Sequence, residues 1–442
     1  MKSVTVTGGG IAGLSAAVFL SERNYKVKLF ESSPKLGGRA YSFFDKEKNQ
    51  FFDNGQHILA GWYKNTFEYL NITGSSGNLN FQKTLEINFI NQEKRLYRLN
   101  CPAVSPPYNI LAGLLKFRAL DFRDKTALIN LKKLFAGRIN ADTFRNVKEL
   151  LTDLKQTDNL IKYFWDPFNL AVFNTVSENI SAELFLNVIN RGFKEKKSSA
   201  LVIPEVNLNE LLIDGTVKYF RERGIEFFLN TGVSRFAVNE SCKKIEFLEL
   251  ENGSRETSDY YICAVPFFGF RKLFEKKVFD EFGYNTEKLK SSAIISVHLF
   301  FKNRIPGKLI PENSSGMTGL TGTKVQWIFK RSDIHLSLVI SGAGYLGLIE
   351  KSSEDIFEIV MNDLKMTIKG FDETALSDYR IIKEKRATFI PDKESSKYRP
   401  KQKTYLSNFY IAGDWTDTGL PATIESAVTS AKICTEEITN SF

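Results

Sequence analysis

Apolar positions along this chain alternate between strand-like and helix-like spacing, and the switches between the two mark out its elements. Ser3 to Thr7 is a short β-rich run, and Leu14 to Arg23 reads as a helix with Ala16, Ala17 and Leu20 on its buried side. Lys26 to Phe30 is a second strand, ending in Glu31. The stretch from about Ser105 to Asn190 is mostly helical in pattern, and Leu208 to Arg223 is a further helix. Strand character returns at Glu226 to Leu229, Lys244 to Glu251 and Tyr260 to Ala264. Ser292 to Phe301 opens a second mixed region, continued by Val325 to Phe329 and Leu336 to Ser341. A strand, Phe409 to Ala412, and a helix from about Ala422 to Ile438 close the chain. No internal repeat interrupts this order. The polar stretches Gly74 to Asn80, Glu251 to Ser258 and Asp392 to Lys403 read as loops, not tethers.

Elements typical of nucleotide binding thus occur at the start, in the middle and at the end. The pattern predicts an α/β fold: a discontinuous Rossmann-like domain from residues 1–85, 200–270 and 395–442. A substrate domain of mixed sheet plus helices, residues 86–199 and 271–394, is inserted in two pieces.

Composition narrows the class. With 442 residues, two or three domains are expected, and 43% hydrophobic with 25% charged residues excludes wholesale disorder. A net charge of +9 suggests an anionic partner, a lipid surface or nucleic acid, but no nucleic-acid module accompanies it. Cys101, Cys242, Cys263 and Cys434 lie far apart, as expected of reduced thiols, and no metal-ligand spacing occurs. The N-terminus runs straight into a strand, leaving no room for a signal peptide. No apolar run approaches the ~20 residues of a spanning helix. A cytoplasmic protein, free or attached to a membrane face, is expected.

The chemistry begins at Gly8-Gly9-Gly10-Ile11-Ala12-Gly13, between the first strand and the first helix. Gly8 permits the tight turn, Gly10 lets backbone approach a pyrophosphate, and Gly13 lets helix and strand pack closely. The phosphates then meet the positive end of the helix. Glu31 stands where an acid accepts hydrogen bonds from a ribose, which favours NAD or FAD over a 2′-phosphorylated cofactor.

Downstream blocks separate those two. Gly37-Gly38-Arg39-Ala40 resembles the second dinucleotide signature of the flavoprotein superfamily containing amine oxidases, phytoene desaturases and protoporphyrinogen oxidases. Tyr410 to Trp415, with Gly413 and Asp414, and Gly419 to Ala427, with Ala422, Thr423 and Ile424, resemble its C-terminal flavin motif. Val233 matches the family valine whose backbone meets the adenine. Phe52-Asp53-Asn54-Gly55-Gln56-His57, the block from Phe164 to Thr175, and Val325 to Phe329 are similar to the squalene-associated FAD-dependent desaturases, the hydroxysqualene dehydroxylases. The block Val172-Phe173-Asn174-Thr175 departs from that pattern, and so does the polar loop before His335.

The resemblance implies an amine oxidase/phytoene desaturase-like fold and FAD. The flavin is expected to be noncovalent, because no Cys stands between Gly413 and Glu425. It implies reductive removal of an allylic hydroxyl from a C30 isoprenoid, with reduced flavin as hydride donor. His57 is the best proton-donor candidate, with a structural histidine as the alternative. Asp166 is the second candidate, provided burial raises its pKa. Asn54, Gly55 and Gln56 are placed to meet flavin or substrate. Phe164, Trp165, Phe168, Phe173, Trp327 and Phe329 are candidate channel walls. His298 and His335 read as structural. A lipid-soluble substrate implies a docking surface, expected at basic amphipathic helices around 108–138, with other squalene-pathway enzymes as further partners. A desaturase running in the oxidative direction, an amine oxidase and a flavin-bearing scaffold are the competing readings.

Overall fold

The structure is a computed structural model describing residues 1–193, 198–239, 241, 243–306, 310–311 and 316–440. Cys242 lies outside the described residues. The parallel sheet predicted from three separate stretches forms as one unit. Its order is Glu226–Phe228, Lys26–Phe30, Ser3–Thr7, Tyr260–Cys263 and Phe409–Ile411, and each neighbouring pair runs parallel. Tyr260–Cys263 and Phe409–Ile411, buried throughout, are continuous apolar runs, whereas Ser3–Thr7 and Lys26–Phe30 alternate apolar residues with Thr or Lys. The helices Ile11–Ser21 and Ile424–Thr439 pack on the sheet and on each other. Ala16, Ala17, Val428 and Ala431 are small or branched residues with almost no exposure there.

The second region is a seven-stranded sheet. Its order is Leu376–Phe389, Ser291–Phe301, His335–Ile340, Trp327–Ser332, Met317–Thr321, Glu86–Asn91 and Leu96–Asn100. Only the pairing of Met317–Thr321 with Glu86–Asn91 is parallel. One face packs against the helix Ser353–Thr367 through Val297, Leu299, Leu338 and Leu364. The other face carries Ile294, Val339, Trp327 and Phe89 into the largest core, which it shares with the parallel sheet's helices. The site lies on this second face.

The helical stretch is more broken than the pattern predicts. Tyr108–Lys116, Phe122–Ala127 and Leu131–Phe135 are separate short helices. Phe117 turns extended, and Asp121 restarts the next helix in a reciprocal cap with Asp124.

Candidate flavin site and adjoining recess

At the N-terminus of the Ile11–Ser21 helix, Gly10 is the N-cap, no side chain caps it, and its first turn holds no acid. The free N–H groups of that turn are an anion site by construction. Gly8 has φ +102°, and a Cβ on Gly13 would sit 1.9 Å from the Gly8 carbonyl oxygen. Glycine is therefore obligatory at both. A Cβ on Gly10, in contrast, would meet nothing nearer than the Cα of Gly38 at 4.0 Å, and Gly10 pairs with Gly37 across the gap. The two glycine segments face each other across an open cradle. Its donor-rich backbone fits a dinucleotide diphosphate.

Glu31 differs from its expected posture. One oxygen accepts from the Gly9 N–H at 2.6 Å and the other from the Ser33 N–H at 2.8 Å. In this structure it braces the glycine turn.

Arg39 lies on the far wall. Its guanidinium donates to Asp414 Oδ1 at 2.6 Å and to the Ala387 carbonyl at 2.7 Å, stapling the second glycine segment to the C-terminal motif and the seven-stranded sheet. Asn54 Nδ2 donates to the Arg39 carbonyl at 2.5 Å. Gly413 N–H donates to Ser430 Oγ, and Thr423 caps the last helix by accepting from the Ser426 N–H. Glu425, buried, is held by the N–H groups of Asn65 and Thr66 and by the Thr66 hydroxyl. Ala422 and Ile424 flank that cap. Val233 begins the strand Val233–Asn239.

Next to the Asn54–Arg39 contact, the chain from Asp53 to Ile58 borders a small recess. Its lining mixes apolar side chains, Ile58, Ile203, Pro204, Val206, Leu208 and Phe329, with the polar Asp53, Gln56, His57, Lys330 and Arg331. Burial lowers the His57 pKa, and the nearby Asp53 charge only partly offsets it. His57 therefore holds its proton less readily than an ordinary imidazole, a correction to the simple picture of a ready imidazolium donor.

Asp166 stands apart from this recess. Burial, assisted by Glu178, raises its pKa to about 6, as the acid role requires, but it is not among the residues lining the recess. Of the six expected channel aromatics, Phe329 lines the recess and Trp327 is two positions away on the same strand face. Trp165 and Phe173 are fully buried and packed around Phe185, with Phe164 and Phe168 stacked at their edges. The Trp165 indole N–H is spent on Gln156. These four rings are helical core in this structure.

Three participants carried no role in the sequence: Asp53, Arg331 and the His298–His335 contact. The last joins two neighbouring strands at 3.0 Å between ring nitrogens. Only Asp53 lay in a motif already singled out.

The class this fold and cradle define is a flavoprotein one. The family model for flavin-containing amine oxidoreductases matches residues 11–439, and the chain belongs to that family. It is a flavin-dependent oxidoreductase. Among its relatives is the hydroxysqualene dehydroxylase of Zymomonas mobilis, 28% identical over 98% of each chain. The 15-cis-phytoene desaturase of Arabidopsis thaliana is 24% identical over 99% of this chain and 80% of its own. An oxidoreductase from Methanosarcina mazei has the same fold, with a TM-score of 0.75 at 17% identity over 98% of this chain and all of that one. No helix of the described residues is long and apolar enough to cross a membrane, and no group of metal-ligating side chains forms among them.

Proposed function

We propose that the chain is a FAD-dependent hydroxysqualene dehydroxylase, which breaks an allylic C–O bond and replaces it with C–H. The hydroxyl departs as water after taking a proton. The observation that carries this is the end-to-end match to a hydroxysqualene dehydroxylase, together with a recess lined by both apolar and hydrogen-bonding side chains. When bound, the flavin would supply the hydride. Residues 1–85, 200–270 and 395–442 form the FAD-binding domain in this reading, and 86–199 and 271–394 the substrate domain. Gly8, Gly10 and Gly13 cradle the diphosphate, and Glu31 turns to the ribose. Arg39 and Asp414 hold the middle of the cofactor, and Thr423 presents its helix to the flavin ring. The binding is noncovalent, so denaturation should release the flavin intact. Gln56 and His57 meet the leaving oxygen, and the apolar side chains of the lining keep water from the carbon that loses it.

Anaerobic mixing of the reduced protein with hydroxysqualene should return the yellow colour and yield squalene, read by absorbance and product analysis. His57→Ala should slow that step with flavin still bound. Reoxidation with no squalene formed, or no reoxidation at all, rejects the assignment. The phytoene desaturase relatives support a second reading, oxidation of an isoprenoid; oxidised protein bleached by phytoene selects it.

The lipid substrate is met at an anionic, cytoplasmic membrane face, where other squalene-pathway enzymes would also work. Support comes from the helical stretch: Phe122 is 83% exposed, Tyr108 69%, Ile129 61% and Leu115 52%. Seven basic residues lie between 108 and 138, and one of the two acids there, Asp124, is turned inward to Thr157 and Asn159. Phe117, Phe89 and Trp327 form an aromatic column from this face toward the recess, with centroids 6.0 Å apart at each step. Each basic residue near an anionic surface contributes roughly 1 kcal/mol, so Lys132→Gln with Lys133→Gln should weaken vesicle binding by about tenfold or more. Co-sedimentation with anionic and neutral vesicles checks it; equal pelleting on both would reject an electrostatic dock.

A further inference from the structure

The chain contains three histidines, at positions 57, 298 and 335; His57 and His298 lie near Asp53, and His335 joins them through His298. His57 shares the recess with Asp53. His298 lies on Ser291–Phe301 and His335 on His335–Ile340, ring against ring at 3.0 Å. Phe52, the residue before Asp53, packs on both, with centroids at 5.5 and 5.3 Å, and Phe300 stacks on His335 at 4.8 Å. Asp53 is itself buried. Its Oδ1 accepts from Ser42 Oγ at 2.7 Å and from the Leu208 N–H at 3.0 Å. Its Oδ2 stands 3.8 Å from the Arg331 guanidinium, too long for a hydrogen bond. That oxygen keeps accepting capacity on the recess side, where His57 stands.

We propose that Asp53 is the positioning residue that holds the proton and ring orientation of His57, with the His298–His335 pair as its uncharged support. The proposal deepens the assigned reaction, because departure of hydroxide as water requires a proton at the leaving oxygen. A carboxylate beside an imidazole selects its tautomer and favours its protonated form. The pair below serves by staying neutral. Two mutually hydrogen-bonded imidazoles need an unprotonated acceptor; burial holds His298 down to about 4 against the opposing pull of Asp53, and burial with His298 and Arg331 holds His335 to about 3. No cation from beneath then competes with His57 for Asp53. The other nearby charges are engaged elsewhere: Arg380, opposite His298 across the sheet, with Asp45, Glu47 and Asp378, Lys48, over Phe300, with Asp378, and Lys330 with Asp333. Among the described residues, Arg331 is the competitor.

With three histidines, nitrogen-15 imidazole spectra of the flavin-loaded protein can be assigned by the signal lost in each His→Gln variant. Asp53→Asn, which retains an acceptor for Ser42 and Leu208, should lower the His57 midpoint by roughly one to three pH units. Arg331→Met should raise it, and His298 and His335 should stay neutral from pH ~6 upward. Opposite signs separate this role from mere structural damage. An unchanged His57 midpoint in Asp53→Asn, or same-signed shifts in both variants, overturns the proposal. Should Asp53→Asn fail to fold, Arg331→Met decides alone: a rise supports it, and a fall or no change rejects it. These spectra require no substrate, so an enzyme inert toward hydroxysqualene would defeat the reaction assigned above and leave this result standing.

Discussion

Gly13→Ala is expected to yield a colourless, destabilised protein, whereas Gly10→Ala yields a stable protein that is merely poor in flavin. At Gly13 the added methyl would lie 1.9 Å from the Gly8 carbonyl oxygen and 3.1 Å from its carbon. Both are backbone atoms, and neither can rotate away. The helix must lift off the first strand, at a cost of about 3 kcal/mol or more by analogy with overpacked cores. At Gly10 the methyl enters the open cradle, 4.0 Å from Gly38 Cα. It disturbs no protein contact but occupies the approach a diphosphate needs. The ratio of flavin to protein absorbance, with thermal denaturation of each variant stripped of flavin, separates the two effects. A Gly10→Ala protein with full flavin content would mean that the cofactor does not pass between the glycine segments.

The second large effect is at Arg39. Arg39→Met leaves Asp414, whose side chain is 11% exposed, without its 2.6 Å partner. It also removes the donor to the Ala387 carbonyl, cutting the link between the cradle and the seven-stranded sheet. Stranding a buried carboxylate costs about 3–5 kcal/mol in a dry interior. Arg39 is a third exposed, so the lower part of that range is expected, about 2–3 kcal/mol. Adding Asp414→Asn removes the stranded charge and should restore much of the loss. Chemical denaturation of the two single variants and the double checks this: strictly additive costs would mean the pair is not coupled. Flavin affinity should fall in all three.

Much of the fold was legible because its signals are local. The turn from Gly8 to Gly13, Glu31 at a strand end and the apolar runs of the parallel sheet each declare themselves within a few residues. Of the strands that were expected, most fall within one or two residues of their expected ends. What escaped was set by partners distant in sequence. Leu376–Phe389 pairs along the edge of the seven-stranded sheet, and its alternating Arg, Lys and Glu residues look like a solvated loop without their neighbour. The hairpin Ser42–Asp45 with Gln50–Asp53 is short and half exposed. The candidate site divides the same way. Its glycines carried a spacing, but the meeting of Asp53 with Arg331, His298 and His335 comes from a separate hairpin packing on the seven-stranded sheet, which no single segment encodes. The aromatic block at Trp165 misled because a ring fit to line a channel is equally fit to fill a core.

The strand order of the parallel sheet also dictates when this protein is finished. Its central strand is made first, yet one flank waits for residue 226 and the other edge for residue 409. Until the last strand and Ile424–Thr439 leave the ribosome, the nascent chain holds an unpaired edge and a bare helix face. Capture of the prosthetic group therefore has to await Phe409–Ile411 and Ile424–Thr439, which complete the sheet and its covering helix.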